Sequence, residues 1–527
     1  MIRMNTFSCK NFFGFFLLFF LIGFPELVFP QSFNGTLVDK KTQEPVPFAT
    51  VQTRRDHDVI SNKEGEFILP IAHLERTDSI HISAMGYEER HIGAKDILEQ
   101  SVIEMTPKIT ELDAVLVSNK TPDPREIMRW VNENIERNYQ TKTHRETTVF
   151  RRNKNTFAPV VMKIQLKKTR NMVDEKTREK INRTFERMTK NSIENPATTY
   201  TSFLGEKVTG DSTKLRLKKS TMLVNRKKNC DINEIVQEML NKMRASLDSE
   251  HRFTIKSGFF TVDRNFDAGK EFGSGQDAIP IDSLHTLAVK KTMNNIARQA
   301  LFKDAEGNLN ISFNGTIDTN IPTEFITNTA DYTYDIIDFT SLDDEFVYVI
   351  SFAPNKGLFG GNKGKYKGTL YVSADTYAVI REEFAMLEDE HGKKMNMKWL
   401  LGIKYVQKDK SGVIIFQKYE DAVYRPKYIQ LNGEQYGYFN RDFVFKENDV
   451  PRRERIKMKM KALIEFNSNY QDEWLFTNSR PISEADYEEF SENKYILTQE
   501  LDHYDPEVWE RYNPLAPTAA VREYESE

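Results

Sequence analysis

Residues 368–386 contain the stretch that decides the fold, GTLYVSADTYAVIREEFAM. Two runs rich in β-branched and aromatic residues, 368–375 and 377–386, lie on either side of a short turn. Runs of about eight residues that alternate apolar and polar side chains are typical of strands with one buried face. Two such runs joined by a short turn predict an antiparallel hairpin.

Strand-like runs of similar length lie on both sides of this hairpin, at 331–338, 345–352, 398–407, 413–424 and 426–438. Short connections between successive strands favour antiparallel pairing, so we expect one large antiparallel sheet. Residues 146–500 are expected to form a large β-rich domain with helical insertions, and residues 501–527 a C-terminal tail. The glycine- and lysine-rich stretch 356–368 lacks the spacing of a phosphate-binding loop, so we expect a hairpin loop there.

Helical patterns accompany these strands. In a segment that we assign as linker and helix, 119–145, apolar residues recur at helical spacing from Ile127 onward. Similar stripes at 167–190 and 231–247 predict two more helices, whereas 147–168 alternates and predicts two strands. We expect the helices to cover the large sheet, which gives a mainly β fold of the α+β class.

A smaller unit is expected before the linker, at 32–118. Short alternating runs at 35–39, 45–51, 66–69, 79–83 and 102–105 are separated by turn residues such as those at 62–65. This spacing predicts a Greek-key β-sandwich.

Four blocks of this unit, 35–39, 45–51, 61–67 and 83–87, resemble the carboxypeptidase-regulatory-like domain, a transthyretin-like β-sandwich. The resemblance extends to uncharacterised envelope proteins of the Bacteroidetes type, whose endings are similar to 504–513. It implies placement in the periplasm or at the outer membrane and a scaffolding or docking role, without peptidase activity. The stretch 368–383 resembles an element of the LolA/LolB-like lipoprotein carriers, which implies an open curved sheet with a hydrophobic concavity.

Residues 1–31 have the order of a secretory signal peptide. Arg3 and Lys10 precede an apolar run from Phe12 to Phe24, and polar residues follow. We expect cleavage and export to the periplasm or the outer membrane, with an uncleaved, anchoring leader as the alternative. After cleavage Cys230 would be the remaining cysteine, which excludes an intrachain disulfide and a cysteine-rich zinc site.

The charge balance gives no general electrostatic argument for nucleic acid, because 74 Lys and Arg face 78 Asp and Glu. Nucleic acid is therefore not expected as a partner. Basic residues do cluster at 167–190 and 214–228. The simpler interpretation is a solvated helix and a lysine-protected strand, and the alternative is peripheral association with anionic lipid or polysaccharide.

A search for catalytic chemistry finds no H-E-x-x-H and no G-x-S-x-G motif. Isolated candidates are Cys230, the acidic pairs Asp343 with Asp344 and Asp375 with Glu382, and a histidine set: His57, His73, His81 and His91 with Asp56 and Asp58. Scattered surface histidines and an inert thiol explain these residues more simply. We therefore assign no catalytic, cofactor-binding or metal-binding residue, and we expect no cofactor.

Two functional hypotheses follow. The first is a non-enzymatic cell-envelope protein that uses its N-terminal sandwich to dock to an envelope protein and its C-terminal sheet to bind, with a hydrophobic or lipid ligand as the sharper form. Its carrier or sensor form predicts an apolar cavity beneath the large sheet. The alternative is an envelope hydrolase with an unrecognised active site, which predicts a cleft with converging carboxylates or histidines.

Overall fold

The computed structural model describes residues 32–53, 58–70, 74–75, 77–108, 122–139, 143–210, 213–224, 252–258, 260–265, 321–342, 345–493, 496–509, 512 and 515–524. Within these residues the fold is mainly β. Two small sheets lie near the N-terminus and one large sheet follows them.

The small sheets enclose one apolar core, as expected for a β-sandwich. The strands are β1 (Ser32–Asp39), β2 (Thr50–Thr53), β3 (Asp58–Ile60), β4 (Glu66–Pro70), β5 (Ser79–Ser83), β6 (Arg90–Gly93) and β7 (Val102–Met105), with helix α1 (Ala94–Ile97). The sheet orders are β4-β1-β7 and β3-β2-β5-β6. Leu37, Phe67 and Ile103 of the first sheet meet Val51 and Ile82 of the second, all fully buried. The Greek-key connectivity stays a prediction.

The large sheet has 14 strands among the described residues, in the order β13-β14-β15-β16-β18-β19-β20-β8-β9-β10-β21, with β11, β12 and β17 paired off this path. Its strands are β8 (Arg145–Arg170), β9 (Ala197–Thr209), β10 (Thr213–Leu223), β11 (Arg252–Ser257), β12 (Phe260–Asn265), β13 (Tyr332–Leu342), β14 (Glu345–Pro354), β15 (Tyr366–Ser373), β16 (Val379–Met386), β17 (Lys394–Met397), β18 (Ile403–Lys418), β19 (Tyr424–Glu447), β20 (Lys457–Pro481) and β21 (Gln499–Leu501). The pairing is antiparallel except for β10 with β21.

Helices pack on this sheet, and residues of three of them share one apolar cluster with its strands. The helices are α2 (Pro124–Glu133), α3 (Ile135–Tyr139), α4 (Glu175–Glu194), α5 (Glu324–Thr327), α6 (Lys398–Leu401), α7 (Glu484–Glu489) and α8 (Ala519–Arg522), with 3-10 turns at Thr329–Asp331 and Pro506–Val508. Ile127 and Val131 of α2, Tyr139 of α3 and Phe325 of α5 are buried against the strands. Phe325 stacks on Phe352 of β14 with ring centroids 4.3 Å apart.

Several predicted boundaries are wrong because strand length depends on pairing. The two strands predicted in 147–168 are one strand, β8, which pairs with β20 along nearly its whole length. The runs 398–407 and 413–424 also differ, since 398–401 is helical and β18 continues from Ile403 to Lys418. In the sandwich, only the last two residues of the predicted strand 45–51 belong to β2, which runs from Thr50 to Thr53, and Phe48 before it takes a left-handed φ of 61°.

The predicted helix at 231–247 lies outside the described residues, as do the leader 1–31 and Cys230. The helix predicted at 167–190 is present as α4, shifted because β8 continues to Arg170. Its buried Phe185 and Met188 pack with Leu166 of β8, so the apolar stripe contributes to the core. None of the described helices has the length and apolar character needed to cross a bilayer.

Candidate functional site

The N-terminal sandwich packs on the face of the large sheet opposite to helices α2, α3 and α5. Ile60 of β3, fully buried, lies in one apolar cluster with Tyr428 of β19 and Leu475 of β20. The Phe48 ring tilts against Tyr428 with centroids 5.2 Å apart. These contacts make the sandwich and the sheet one packed assembly at this face.

A buried ion pair lies within this interface. Lys427 of β19 donates to the carboxylate of Asp58 on β3, and its side chain is only 1% exposed. In the pairing of β18 with β19, Pro426 faces Phe416 and Tyr428 faces Ile415, which leaves Lys427 as the extra residue of a β-bulge. A bulge redirects a side chain, and here Lys427 and Tyr428 both contact the sandwich. Burial lowers the pKa of the Lys427 ammonium group.

The C-terminal tail is held at the same interface by Arg152 of β8. The guanidinium donates to the carbonyl oxygens of Leu515 at 2.8 Å and Ala516 at 3.0 Å. Leu515 forms a parallel bridge with Ile60, and Trp509 packs edge-on against Phe150, centroids 5.4 Å apart. The tail predicted at 501–527 therefore bridges the sandwich and the large sheet.

A cavity of about 400 Å³ opens between the sandwich and this tail. Asn34 and Phe67 line it from the sandwich, and Tyr504 and Arg522 from the tail. Arg522 donates to the Glu66 carboxylate, so the charges at the cavity wall largely neutralise each other. The cavity does not lie beneath the large sheet, where the sequence hypothesis places a ligand.

The loop between β14 and β15 carries the most exposed apolar residues. Leu358 and Phe359 are both fully exposed, and we call this pair the apolar tip. The amide of Gly357 donates to the carbonyl of Gly361 at 2.7 Å, which closes a tight turn around the tip. Gly360 has a φ of 81°, a left-handed conformation that glycine adopts without strain. The hairpin loop predicted at 356–368 is present but ends earlier, because β15 begins at Tyr366, and its backbone holds the apolar tip outward.

Lysines flank the apolar tip in the sequence. Lys356, Lys363 and Lys367 are exposed, and Lys365 donates to the carbonyl of His391 at 3.0 Å. Lys363 lies 4.0 Å from Asp331, a distance at which an exposed pair interacts weakly. This loop therefore combines an apolar end with lysines that are close to it in sequence.

A second apolar site lies beyond the β16–β17 connection. Trp399 in α6 is 94% exposed, and Met397 and Leu400 beside it are also exposed. Gly402 ends α6 with a left-handed φ of 65°. Lys398 lies over the Tyr438 ring, 4.0 Å from its centroid. The sequence predicts a strand here, which would have alternated these side chains between two faces.

Glu382 of β16 is a carboxyl group in the apolar core. It is fully buried, and neither oxygen has a hydrogen-bond partner among the described residues. Burial raises its pKa to about 8. Its suggested catalytic partner, Asp375, is exposed at the preceding turn, so the pair does not converge. Glu382 is enclosed by the core and has no access to a substrate.

The other candidate residues are dispersed. Asp343, Asp344, Asp56, His57 and His73 lie outside the described residues. Asp58 contacts Lys427 rather than a histidine. His81 and His91 do come together, and they are joined by Glu89, which the sequence reasoning missed. Its signal in the sequence was the spacing Glu89-Arg-His91, which places both side chains on one face of an extended chain.

Comparison with known proteins leaves the family open. No known sequence family and no curated protein matches the chain. A DUF1329 family protein from Desulfovibrio piger aligns with a TM-score of 0.18 and 10% identity, covering 70% of this chain and 98% of that one. MucB in complex with MucA(peri) aligns with a TM-score of 0.15 and 7% identity, covering 65% and 94%. Scores this low do not establish a shared fold, so both resemblances inferred from the sequence stay predictions.

Proposed function

We propose that this protein is an exported, non-enzymatic protein of the cell envelope that binds to the surface of an anionic membrane through its apolar tip. The observation that carries the proposal is the full exposure of two adjacent apolar side chains, Leu358 and Phe359, at the end of a lysine-flanked hairpin. Single exposed apolar residues are common on protein surfaces. An adjacent pair held outward by a tight turn is typical of a contact site.

The energetics fit reversible membrane binding. Full burial of a Leu or Phe side chain contributes about 1.5–3 kcal/mol, so the apolar tip could supply about 3–6 kcal/mol. Each lysine near an anionic surface adds about 1 kcal/mol. Lys356, Lys363 and Lys367 are exposed and close in sequence to the tip. The combination favours an anionic bilayer over an apolar protein groove, because a purely apolar groove would not require the flanking lysines.

Trp399 is a second candidate for membrane contact. Indole rings are enriched at the boundary between lipid and water, and Trp399 is followed by exposed Leu400 and preceded by Lys398. The connection that leads to it contacts the tip hairpin, because Asn362 donates to the Glu390 carboxylate at 3.1 Å. We propose that this second apolar site assists the apolar tip.

Export and envelope placement rest on the leader pattern of 1–31 and on the resemblance of 32–118 to the carboxypeptidase-regulatory-like domain. We propose that the sandwich acts as a scaffold within the protein, because one of its faces packs on the large sheet through Asp58 and Ile60. Its remaining surface is available to an envelope protein partner.

The two other hypotheses have less support. A carrier needs an apolar cavity beneath the sheet, whereas Ile127, Tyr139 and Phe325 pack against part of that face. A hydrolase needs converging acid and base groups in a cleft, whereas Glu382 is enclosed and Asp375 is exposed at a turn. We therefore propose surface binding in place of carriage or hydrolysis.

Co-sedimentation with lipid vesicles tests the proposal. The purified protein should sediment with vesicles that contain phosphatidylglycerol and much less with vesicles of phosphatidylcholine alone. The variant L358S/F359S should lose most of this binding. The matched control is L497S, which removes another exposed leucine far along the chain from the tip. Equal sedimentation of L358S/F359S and the unaltered protein would reject the proposal.

A further inference from the structure

We propose that His81, Glu89 and His91 form a binding site for a divalent transition-metal ion of the Zn²⁺ class on the sandwich. One donor atom from each side chain lies within 4.8 Å of the other two. The Glu89 Oε2 is 3.0 Å from His81 Nε2 and 4.0 Å from His91 Nε2. Two imidazole nitrogens and a carboxylate oxygen thus converge on one point.

The strand register explains why these side chains meet. Asp58, Gln52, His81 and His91 lie directly opposite one another across β3, β2, β5 and β6. Directly opposite residues of antiparallel strands share a face. At one end of this row Asp58 is buried against Lys427, and at the other end His91 is 66% exposed. The histidine pair therefore lies where the shared face opens to solvent.

The surrounding charges favour a cation at this point. Arg90, between Glu89 and His91, donates to the carbonyl oxygen of Glu104 on β7 and so turns away from the cluster. Glu89 is left with two histidines as its contacts among the described residues. Its carboxylate would neutralise part of the charge of a bound divalent ion.

The donor set fits Zn²⁺ and related ions. Zinc sites with three protein ligands of the His₂Glu type keep a fourth position for water or another ligand. Imidazole suits Zn²⁺, Cu²⁺ and Ni²⁺, whereas Mg²⁺ prefers oxygen ligands. A tetrahedral ion with bonds of about 2.0–2.1 Å needs donors about 3.3–3.5 Å apart. The donor atoms, which lie within 4.8 Å of one another, must therefore approach by up to about 1.5 Å.

Side-chain rotation can supply that movement. His91 is the most exposed of the three, and its ring stacks on His81 at a centroid distance of 4.7 Å. Rotation of the His91 ring about its side-chain bonds moves Nε2 without disturbing β6, since the apolar neighbour Ile92 anchors the strand in the core. The backbone is already in place for the ion.

Calorimetric titration of the full protein, purified without a polyhistidine tag, tests the site with Zn²⁺ as the probe. We expect Zn²⁺ to bind and Mg²⁺ not to bind under the same conditions. H91Q and E89Q should each weaken Zn²⁺ binding by about tenfold or more, in line with the loss of a coordinating group. The matched control is H503Q, because His503 also contacts a carboxylate, that of Asp502, at 2.6 Å.

The titrations of the three variants decide whether Zn²⁺ binds at this cluster. Weakened binding in H91Q and E89Q with unchanged binding in H503Q would support the site. Absence of Zn²⁺ binding, or binding that neither H91Q nor E89Q weakens, would overturn it. Circular dichroism of each variant checks folding, and exposed His91 is the position least needed for the core. Vesicle binding is read separately, so this result is independent of the membrane proposal.

Discussion

Lys427 of the large sheet and Asp58 of the sandwich form an ion pair that is almost completely withdrawn from solvent. The pair lies at the interface of two units that are far apart in sequence. Removing one partner of a buried pair leaves an uncompensated charge, whereas an exposed pair contributes little. The interface between the two units therefore depends on this contact.

The first prediction concerns the variant K427M. It should lower the free energy of unfolding by about 3 kcal/mol or more, because Asp58 would remain buried without its cation. Chemical denaturation measures the effect. The control K459M removes a lysine from a pair with Asp442 that is 3.5 Å long and largely exposed, and it should cost less than about 1 kcal/mol. Equal stability of K427M and the unaltered protein would contradict the burial of this ion pair between the sandwich and the large sheet.

A second prediction uses the raised pKa of Glu382, about 8 in the folded protein against an ordinary value of 4.5. Between these pH values the unfolded chain loses the proton and the folded protein keeps it. Stability should therefore fall as pH rises from 4.5 to 8, by up to about 1.4 kcal/mol per pH unit from this group.

The variant E382Q should lack that part of the pH dependence. Near pH 8 it should be more stable than the unaltered protein. The control E383Q, at a more exposed neighbour that pairs with Arg381, should keep the dependence. Denaturation curves across the window measure both. Parallel pH profiles for E382Q and the unaltered protein would show that Glu382 is ionised or solvated.

A third prediction concerns Gly368, whose place in β15 leaves no room for a side chain. A Cβ there would lie 1.9 Å from the carbonyl oxygen of Glu383 on β16. G368A should therefore destabilise the protein by about 1–3 kcal/mol. G361A, at the open end of the hairpin loop where a Cβ meets nothing within 4 Å, should leave thermal stability nearly unchanged. The reverse order of the two melting temperatures would be inconsistent with this hairpin.

The strands of the large sheet were predictable from the sequence, whereas the burial of Lys427 and Glu382 was not. Local alternation predicts β15 and β16, and the glycine-rich loop between β14 and β15, because strand faces and turns are set by neighbouring residues. The burial of Lys427 depends on a bulge in the pairing with β18, and that of Glu382 on the helices that cover the sheet. Neither is visible in local sequence, so both were missed.

The histidine cluster and the apolar tip were likewise only partly predictable from the sequence. His81 and His91 could be named as candidates, but their position opposite each other, with Glu89 beside both, follows from the register of β5 with β6. The apolar tip was hidden in a loop that composition marks only as glycine- and lysine-rich. Its exposure depends on the turn that Gly357 and Gly361 close.

A fourth prediction concerns the lysines around the apolar tip. Reversing Lys356, Lys363 and Lys367 to Glu should weaken binding to phosphatidylglycerol vesicles, and binding of the unaltered protein should fall as salt rises. The matched control reverses Lys40, Lys41 and Lys63, three exposed lysines of the sandwich, and changes the net charge equally. Equal losses in both triple variants would indicate attraction by net charge alone.

The most direct test of the membrane proposal is the environment of Phe359 itself. In a chain whose own cysteines, Cys9 and Cys230, are replaced by Ser, F359C would carry a polarity-sensitive fluorophore and L497C the same label as a control. Addition of phosphatidylglycerol vesicles should shift the emission of the label at 359 to shorter wavelength and leave that at 497 unchanged. If the label at 359 stays in a fully aqueous environment while the protein is bound, the apolar tip is not the membrane contact.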